Sequence, residues 1–158
     1  MPVGKRAGFA LLALVAFVPP SAGGAVGIGR GQFGVGLNTP GIGARYFIVN
    51  DLSLEARGQL EKGVTVVGMR ACKYITAGAV LPYAGIEGDY VSFKGDLSSG
   101  SGFGGEVLLG LEYFVARRFS VQFDFGPAYL ALKENKYSLS ASGIEFIVNF
   151  GVNYYFGR

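Results

Sequence analysis

The amino-acid sequence predicts an all-β fold: eight antiparallel strands, connected up and down and closed into a transmembrane β-barrel. Four observations carry the prediction. Half of the 158 residues are apolar and only 16% are charged, a balance closer to a membrane protein than to a soluble domain. The one long apolar run, Ala7 to Val18, has twelve residues, short of the ~20 that a membrane-crossing helix needs. Twenty-seven glycines also count against helices, because each interior glycine costs a helix ~1 kcal/mol relative to alanine. From residue 26 onward, apolar and polar residues instead alternate with the period of two that belongs to strands.

Residues 1–25 read as a removable export signal. Lys5 and Arg6 precede the apolar stretch Gly8–Val18, Pro19 and Pro20 end it, and Ser21-Ala-Gly-Gly-Ala25 offers the small residues that a signal peptidase accepts, with Ala25 the favoured last residue. A short buried helix would explain neither the charges nor the paired prolines. No cysteine stands at the cleavage site, so lipid anchoring has no support. Without the leader the chain carries twelve basic and eleven acidic residues, and the formal +3 falls to +1. That balance, with basic residues dispersed, excludes a nucleic-acid-binding patch. The lone Cys72 has no partner for an internal disulfide and reads as a small apolar filler.

Residues 26–158 form one barrel domain, read strand by strand. Segment 26–37 surrounds Arg30 and Gln32, and 42–49 contains Arg45. Segment 52–60 sets Leu52, Leu54, Ala56, Gly58 and Leu60 against Ser53, Glu55, Arg57 and Gln59. Segment 64–75 contains Arg70, and 81–93 contains Glu87 and Asp89. In 106–115 one face is Val107, Leu109, Leu111, Tyr113 and Val115, and the other is Glu106, Leu108, Gly110, Glu112 and Phe114. Segment 119–131 alternates Phe119, Val121, Phe123, Phe125, Pro127, Tyr129 and Ala131 with Ser120, Gln122, Asp124, Gly126, Ala128 and Leu130. The last strand, 144–156, sets Ile144, Phe146, Val148, Phe150, Val152, Tyr154 and Phe156 against Glu145, Ile147, Asn149, Gly151, Asn153 and Tyr155.

The connections alternate in character. Asn50-Asp51, Thr76–Ala79 and Arg117-Arg118 are tight turns. Asn38–Gly41, Glu61–Gly63, Lys94–Ser101 and Lys133–Ser142 lie at the other end, and two of them are longer and rich in Ser, Gly, Lys and Asp. One end with tight turns and one with variable loops is the asymmetry of an outer-membrane barrel. The choice between a membrane barrel and a soluble one rests on which face points out. The apolar faces are too bulky for an eight-strand interior, which side chains only just fill. Eleven in-strand charges fall on the other parity: Arg30, Arg45, Glu55, Arg57, Arg70, Glu87, Asp89, Glu106, Glu112, Asp124 and Glu145, with Lys73 the exception near a strand end. A charge facing lipid costs ~2–4 kcal/mol at the bilayer midplane, so lipid enforces that parity. Tyr46, Tyr90, Tyr113, Phe119, Tyr129, Tyr154 and Phe156 are candidates for the interfacial aromatic girdles.

The stretches Gly43-Ala-Arg-Tyr-Phe-Ile-Val-Asn-Asp-Leu-Ser-Leu-Glu55 and Gly151-Val-Asn-Tyr-Tyr-Phe156 resemble the small eight-stranded outer-membrane β-barrel proteins, the OmpA/OmpX-like and opacity-protein-like group. The resemblance implies insertion into the outer membrane of a Gram-negative-type bacterium by the barrel-assembly machinery, which in that group reads a terminal aromatic. Phe156 here stands two residues before Arg158. Contact with outer-membrane lipid and lipopolysaccharide is expected with it; the loop residues Lys94, Asp96, Lys133, Glu134 and Lys136 read first as a solvated surface, with lipopolysaccharide phosphates or a host ligand as the alternatives.

The eleven charges are expected to form a polar lumen network, seven acidic and four basic, in which arginine forks hold carboxylates and three carboxylates remain in excess. The absence of histidine removes the usual general base of membrane-barrel hydrolases, so no enzymatic activity is expected. No cofactor or metal is expected either, because histidine and clustered cysteine are lacking. Gly29-Arg-Gly-Gln-Phe-Gly34 has the spacing of a dinucleotide fingerprint but continues as a strand, where the motif requires a helix. The expected role is structural, supporting the envelope or presenting loops. The alternatives are a low-conductance channel for small solutes and a surface adhesin or ligand receptor.

Overall fold

A computed structural model describes residues 28–75, 80–95, 99–134 and 140–156. The export-signal reading, the turn at 76–79, and the loop residues Asp96 and Lys136 lie outside the described residues. Among the described residues are eight strands: β1 (Phe33–Thr39), β2 (Ile42–Val49), β3 (Leu52–Glu61), β4 (Val64–Tyr74), β5 (Val80–Lys94), β6 (Ser99–Ala116), β7 (Phe119–Glu134) and β8 (Ser140–Phe156). Each pairs antiparallel with the next, and β8 pairs with β1 to close the barrel. Closure leaves no continuous sheet edge around the tight-turn end.

The register fixes the shape. A path from Gly34 through Arg45, Glu55, Arg70, Glu87, Glu106, Ala128 and Glu145 returns to β1 at a level ten residues further along the strand. Such a stagger in eight strands tilts them by about 40° from the barrel axis. The two bulges, at Phe47/Val49 and Phe114/Ala116, both lie next to tight turns.

Parity divides the side chains as the alternation requires. Outward positions expose large apolar groups such as Val107, Leu109, Phe123 and Phe146, whereas Arg45, Glu55, Arg70, Glu112, Gln122 and Asp124 are buried. At the tight-turn end the interior is closed by an aromatic layer. Phe47 packs against Tyr74 and Tyr155 with ring centroids 5.4 and 6.2 Å apart, and Phe114 meets Tyr155 at 5.4 Å. Leu81, Leu108 and Cys72 complete this cluster.

The strands differ from the sequence expectation by four or more residues at three ends. The first starts at Phe33, not 26, because Arg30 and Gly31 form a turn in which Gly31 has a positive φ of 83°. The sixth reaches back to Ser99 through a stretch read as loop. Its glycines carry no alternation signal, but Gly100, Gly102 and Gly104 face inward and are paired on both sides. Added Cβ atoms there would meet the side chains of Phe93, Leu132 and Leu130, so glycine supplies the room those chains occupy. The eighth begins at Ser140, extending the hairpin with β7.

The barrel wall is therefore uneven. β1 and β2 have seven and eight residues, while β6, β7 and β8 have sixteen or more. β1 pairs only with Phe150–Phe156, and β2 pairs with β3 no further than Gly58.

Candidate functional site: the interior polar network

Nine of the eleven charges expected in the lumen lie on the inner face, grouped around two arginines. Arg45, from β2, is buried at the level of the aromatic layer. Its Nε and Nη2 donate to Glu55 Oε2 at 3.0 and 2.5 Å. Nη1 donates to Glu112 Oε2 at 3.0 Å, to Tyr74 Oη at 2.8 Å and to Tyr155 Oη at 3.0 Å, and Nη2 also reaches Gln122 Oε1 at 2.7 Å. One guanidinium thereby joins β2 to β3, β4, β6, β7 and β8. Its planar fork of five donors suits that task, whereas an ammonium could not span the same acceptors.

Glu112 is the matching acceptor. Tyr74 Oη donates to its Oε2 at 2.9 Å, and Tyr155 Oη and Asn153 Nδ2 donate to its Oε1 at 2.7 and 3.2 Å. Ser120 donates to the same oxygen. Asn38 Nδ2 donates to Glu55 Oε1 at 3.2 Å, and Gln122 Nε2 returns a bond to Asn38 Oδ1 at 3.2 Å.

Arg70, from β4, organises the second group nearer the loop end. Its Nε donates to Glu87 Oε2 at 2.6 Å and its Nη1 to Asp124 Oδ2 at 2.9 Å. Nη2 lies against Glu87 as an ion pair at an angle that forms no hydrogen bond. Tyr83 Oη and Asn149 Nδ2 complete the Asp124 shell at 2.7 and 2.9 Å. Arg57 clasps Glu87 from β3, with Nη1 at 2.9 and 2.7 Å from its two oxygens. Glu106, opposite Glu87 in the register, is 3.9 Å from Arg70 Nη2, and its Oε1 is buried without a hydrogen-bond partner. Asp89 is half-buried beside Gly68, where any side chain on residue 68 would meet its carboxylate.

Two expected network members stand elsewhere. Arg30 lies exposed in the turn before β1, which removes it from the strand whose parity placed it inside. Glu145 keeps the inward parity, opposite Ala128, but is exposed, because β8 rises past the end of β1 and has no wall beside it there. Lys73 points outward and pairs with Asp51 at 2.5 Å. The carboxylate excess persists, with six inner acids to three arginines among the described residues.

Sequence reasoning missed the uncharged half of the network. Gln122, Asn149, Asn153 and Tyr155 already lay on the polar parity, so a rule counting every inward polar group would have found them. Tyr74 and Tyr83 sit in strands where alternation is weak. No group of three His, Cys, Asp or Glu side chains among the described residues is placed to hold a metal ion.

The closed ring of eight antiparallel strands is what the comparison with solved structures matches. The crystal structure of the N-terminal β-barrel domain of Pseudomonas aeruginosa OprF superposes with a TM-score of 0.55, over 81% of this chain and 99% of that one, at 14% identity. The fold is that of the OprF barrel. At that identity the OprF likeness describes architecture alone. No protein-family model and no curated protein matches this sequence.

Proposed function

We propose that the chain is an integral outer-membrane β-barrel, exported by the signal at residues 1–25, whose role is structural: a rigid, filled barrel that supports the envelope and presents its longer loops. The observation that carries this reading is the inversion of the barrel. Large apolar side chains cover its outside, while its inside holds buried arginines and carboxylates. In water that surface would aggregate. In lipid the same surface is solvated, and the ladder, closed around the tight-turn end, satisfies the backbone there where no water can. The aromatics support the same orientation. Tyr90, Phe103 and Tyr129 lie on the outside about 20 Å above Tyr46, Phe119 and Tyr154, from the strand tilt and rise. That separation suits two girdles around an apolar band ~25 Å tall.

The filled interior favours a structural role over the alternative of a low-conductance channel. The aromatic layer with its Arg45 group and, nearer the loop end, the Arg70 group stand in series across the lumen. Exposed Lys94 and Lys133 at the loop end would meet lipopolysaccharide phosphates. Planar-bilayer recording tests the role. The purified barrel is expected to give no steady current at any voltage that the bilayer tolerates, and a steady ohmic conductance would replace the structural reading with the channel.

A further inference from the structure

Above the Arg70 group the interior changes character. Among the inward positions toward the loop end are the apolar Val66 on β4, Val91 and Phe93 on β5, Leu130 and Leu132 on β7, and Ile147 on β8, all half-exposed. A Cβ at Gly104 would lie 2.9 Å from Leu130 and 3.8 Å from Asp89, so these apolar groups stand directly over the acidic floor. On the β4, β5 and β7 sides this bowl-like mouth therefore presents an exposed apolar patch, which a mouth that held only water would not need, beside a polar rim of Gln59, Glu61 and Glu145.

The floor is also unbalanced. Glu87, Asp89 and Glu106 face Arg57 and Arg70, and Arg70 is shared with Asp124. Glu106 is only 5% exposed, yet its Oε1 has no partner. A buried carboxylate oxygen without a donor is costly, and Arg70 Nη2, 3.9 Å from the other oxygen, does not supply one, so a further cationic N–H group would complete it.

The short β1–β2 hairpin opens this bowl sideways. It ends about 20 Å below the top of β8, roughly midway up the girdled band, given the tilt and rise of the strands. On one side of the gap, β1 leaves the edge of 140–149 unpaired, and on the other, β2 leaves Gln59–Glu61 of β3 unpaired. Backbone groups at such an edge need donors and acceptors that lipid chains do not offer.

We propose that this bowl binds an amphiphile with a cationic, N–H-bearing head and an apolar body, the head on Glu106, Asp89 and Glu87 and the body against Val66, Val91, Leu130 and Ile147, reached from the membrane through the gap over the β1–β2 hairpin. The site rests on the membrane orientation proposed above. A metal ion is a poorer occupant, because Arg57 and Arg70 already stand among these carboxylates and, among the described residues, no three acids are close enough to ligate one ion.

Amide NMR of the full barrel in lipid nanodiscs, titrated with octylammonium, octyl sulfate and octanol, tests the site. Incorporation into nanodiscs as a folded barrel tests the orientation first, and failure to incorporate overturns both readings. Octylammonium is expected to give saturable shifts at Asp89, Gly104, Leu130 and Ile147. Octyl sulfate should shift only outward residues such as Phe103 and Tyr129. Glu106→Gln should weaken octylammonium binding about tenfold, the loss of one charge-assisted bond. Asp89→Asn serves if the first variant does not fold. Equal inner shifts for all three amphiphiles, shifts confined to the outer face, or no effect of either substitution would overturn the proposal, as would a bowl left silent because loop residues cover it.

Discussion

Arg45 is the single side chain on which most of the interior depends. It is 3% exposed and donates to five residues on five other strands. Replacing one partner of such a group leaves the other charges buried and uncompensated, a loss of about 3–5 kcal/mol. Arg45→Met is therefore expected to lower the urea midpoint of the refolded barrel in detergent by that equivalent, whereas Arg30→Ala, in an exposed turn, should change it by less than about 0.5 kcal/mol. Urea titration followed by the gel shift between folded and unfolded bands reads both. At this scale much of the site was legible, because ten of the eleven charges obeyed strand parity and nine of those lie in the interior. Arg30 misled because glycines at 29 and 31 look the same in a strand and in a turn. Tyr74 and Tyr83 stayed hidden because a tyrosine tolerates either face until its hydroxyl finds a partner.

Among the elements, β6 shows how glycine sets the wall. Gly126 of β7 faces it so closely that a Cβ would strike the carbonyl oxygen of Val107, a backbone atom that cannot turn aside. Gly88 of β5 has nothing within 4 Å of the same position. Gly126→Ala is expected to cost about 1–3 kcal/mol through overpacking. Gly88→Ala should be neutral or stabilise by up to about 1 kcal/mol, since interior strand glycines carry an entropic penalty. Equal effects of the two substitutions in the same urea titration would contradict the close β6–β7 approach. Strand order and pairing followed from alternation and turn spacing, and β2 ends where its periodicity ends. The upper parts of β6 and β8 did not follow, because Ser99–Gly105 and Ser140–Gly143 have no apolar period and are strands only through pairing with their neighbours. Tertiary pairing overrides weak local propensity in such segments.

The whole molecule is a barrel turned inside out relative to a soluble one. Its exposed surface is the apolar half of the alternation, its inner ion pairs are shielded from water, and its wall is lowest at β1 and β2. The seam there is narrow, held by seven register pairs and by ring contacts such as Phe33 with Phe156, 5.8 Å apart. Destabilising the seam is expected to expose the ladder without disturbing the β6–β7 and β7–β8 hairpins. Hydrogen exchange in detergent should therefore find the β1 amides least protected among the strands, and uniform protection would argue that the lowered wall has no weakness.

The central claim, that the apolar face meets lipid and the polar face does not, can be read with one fluorophore, because the chain contains no tryptophan. Phe125→Trp places the probe on the outer face near the middle of the band, where Phe125 is 39% exposed, and Phe114→Trp places it inside, where Phe114 is 4% exposed. In bilayers of lipid brominated at mid-chain, the tryptophan at 125 is expected to be strongly quenched and the one at 114 to remain bright. Equal quenching at both positions, or quenching at 114 alone, would contradict the inverted barrel.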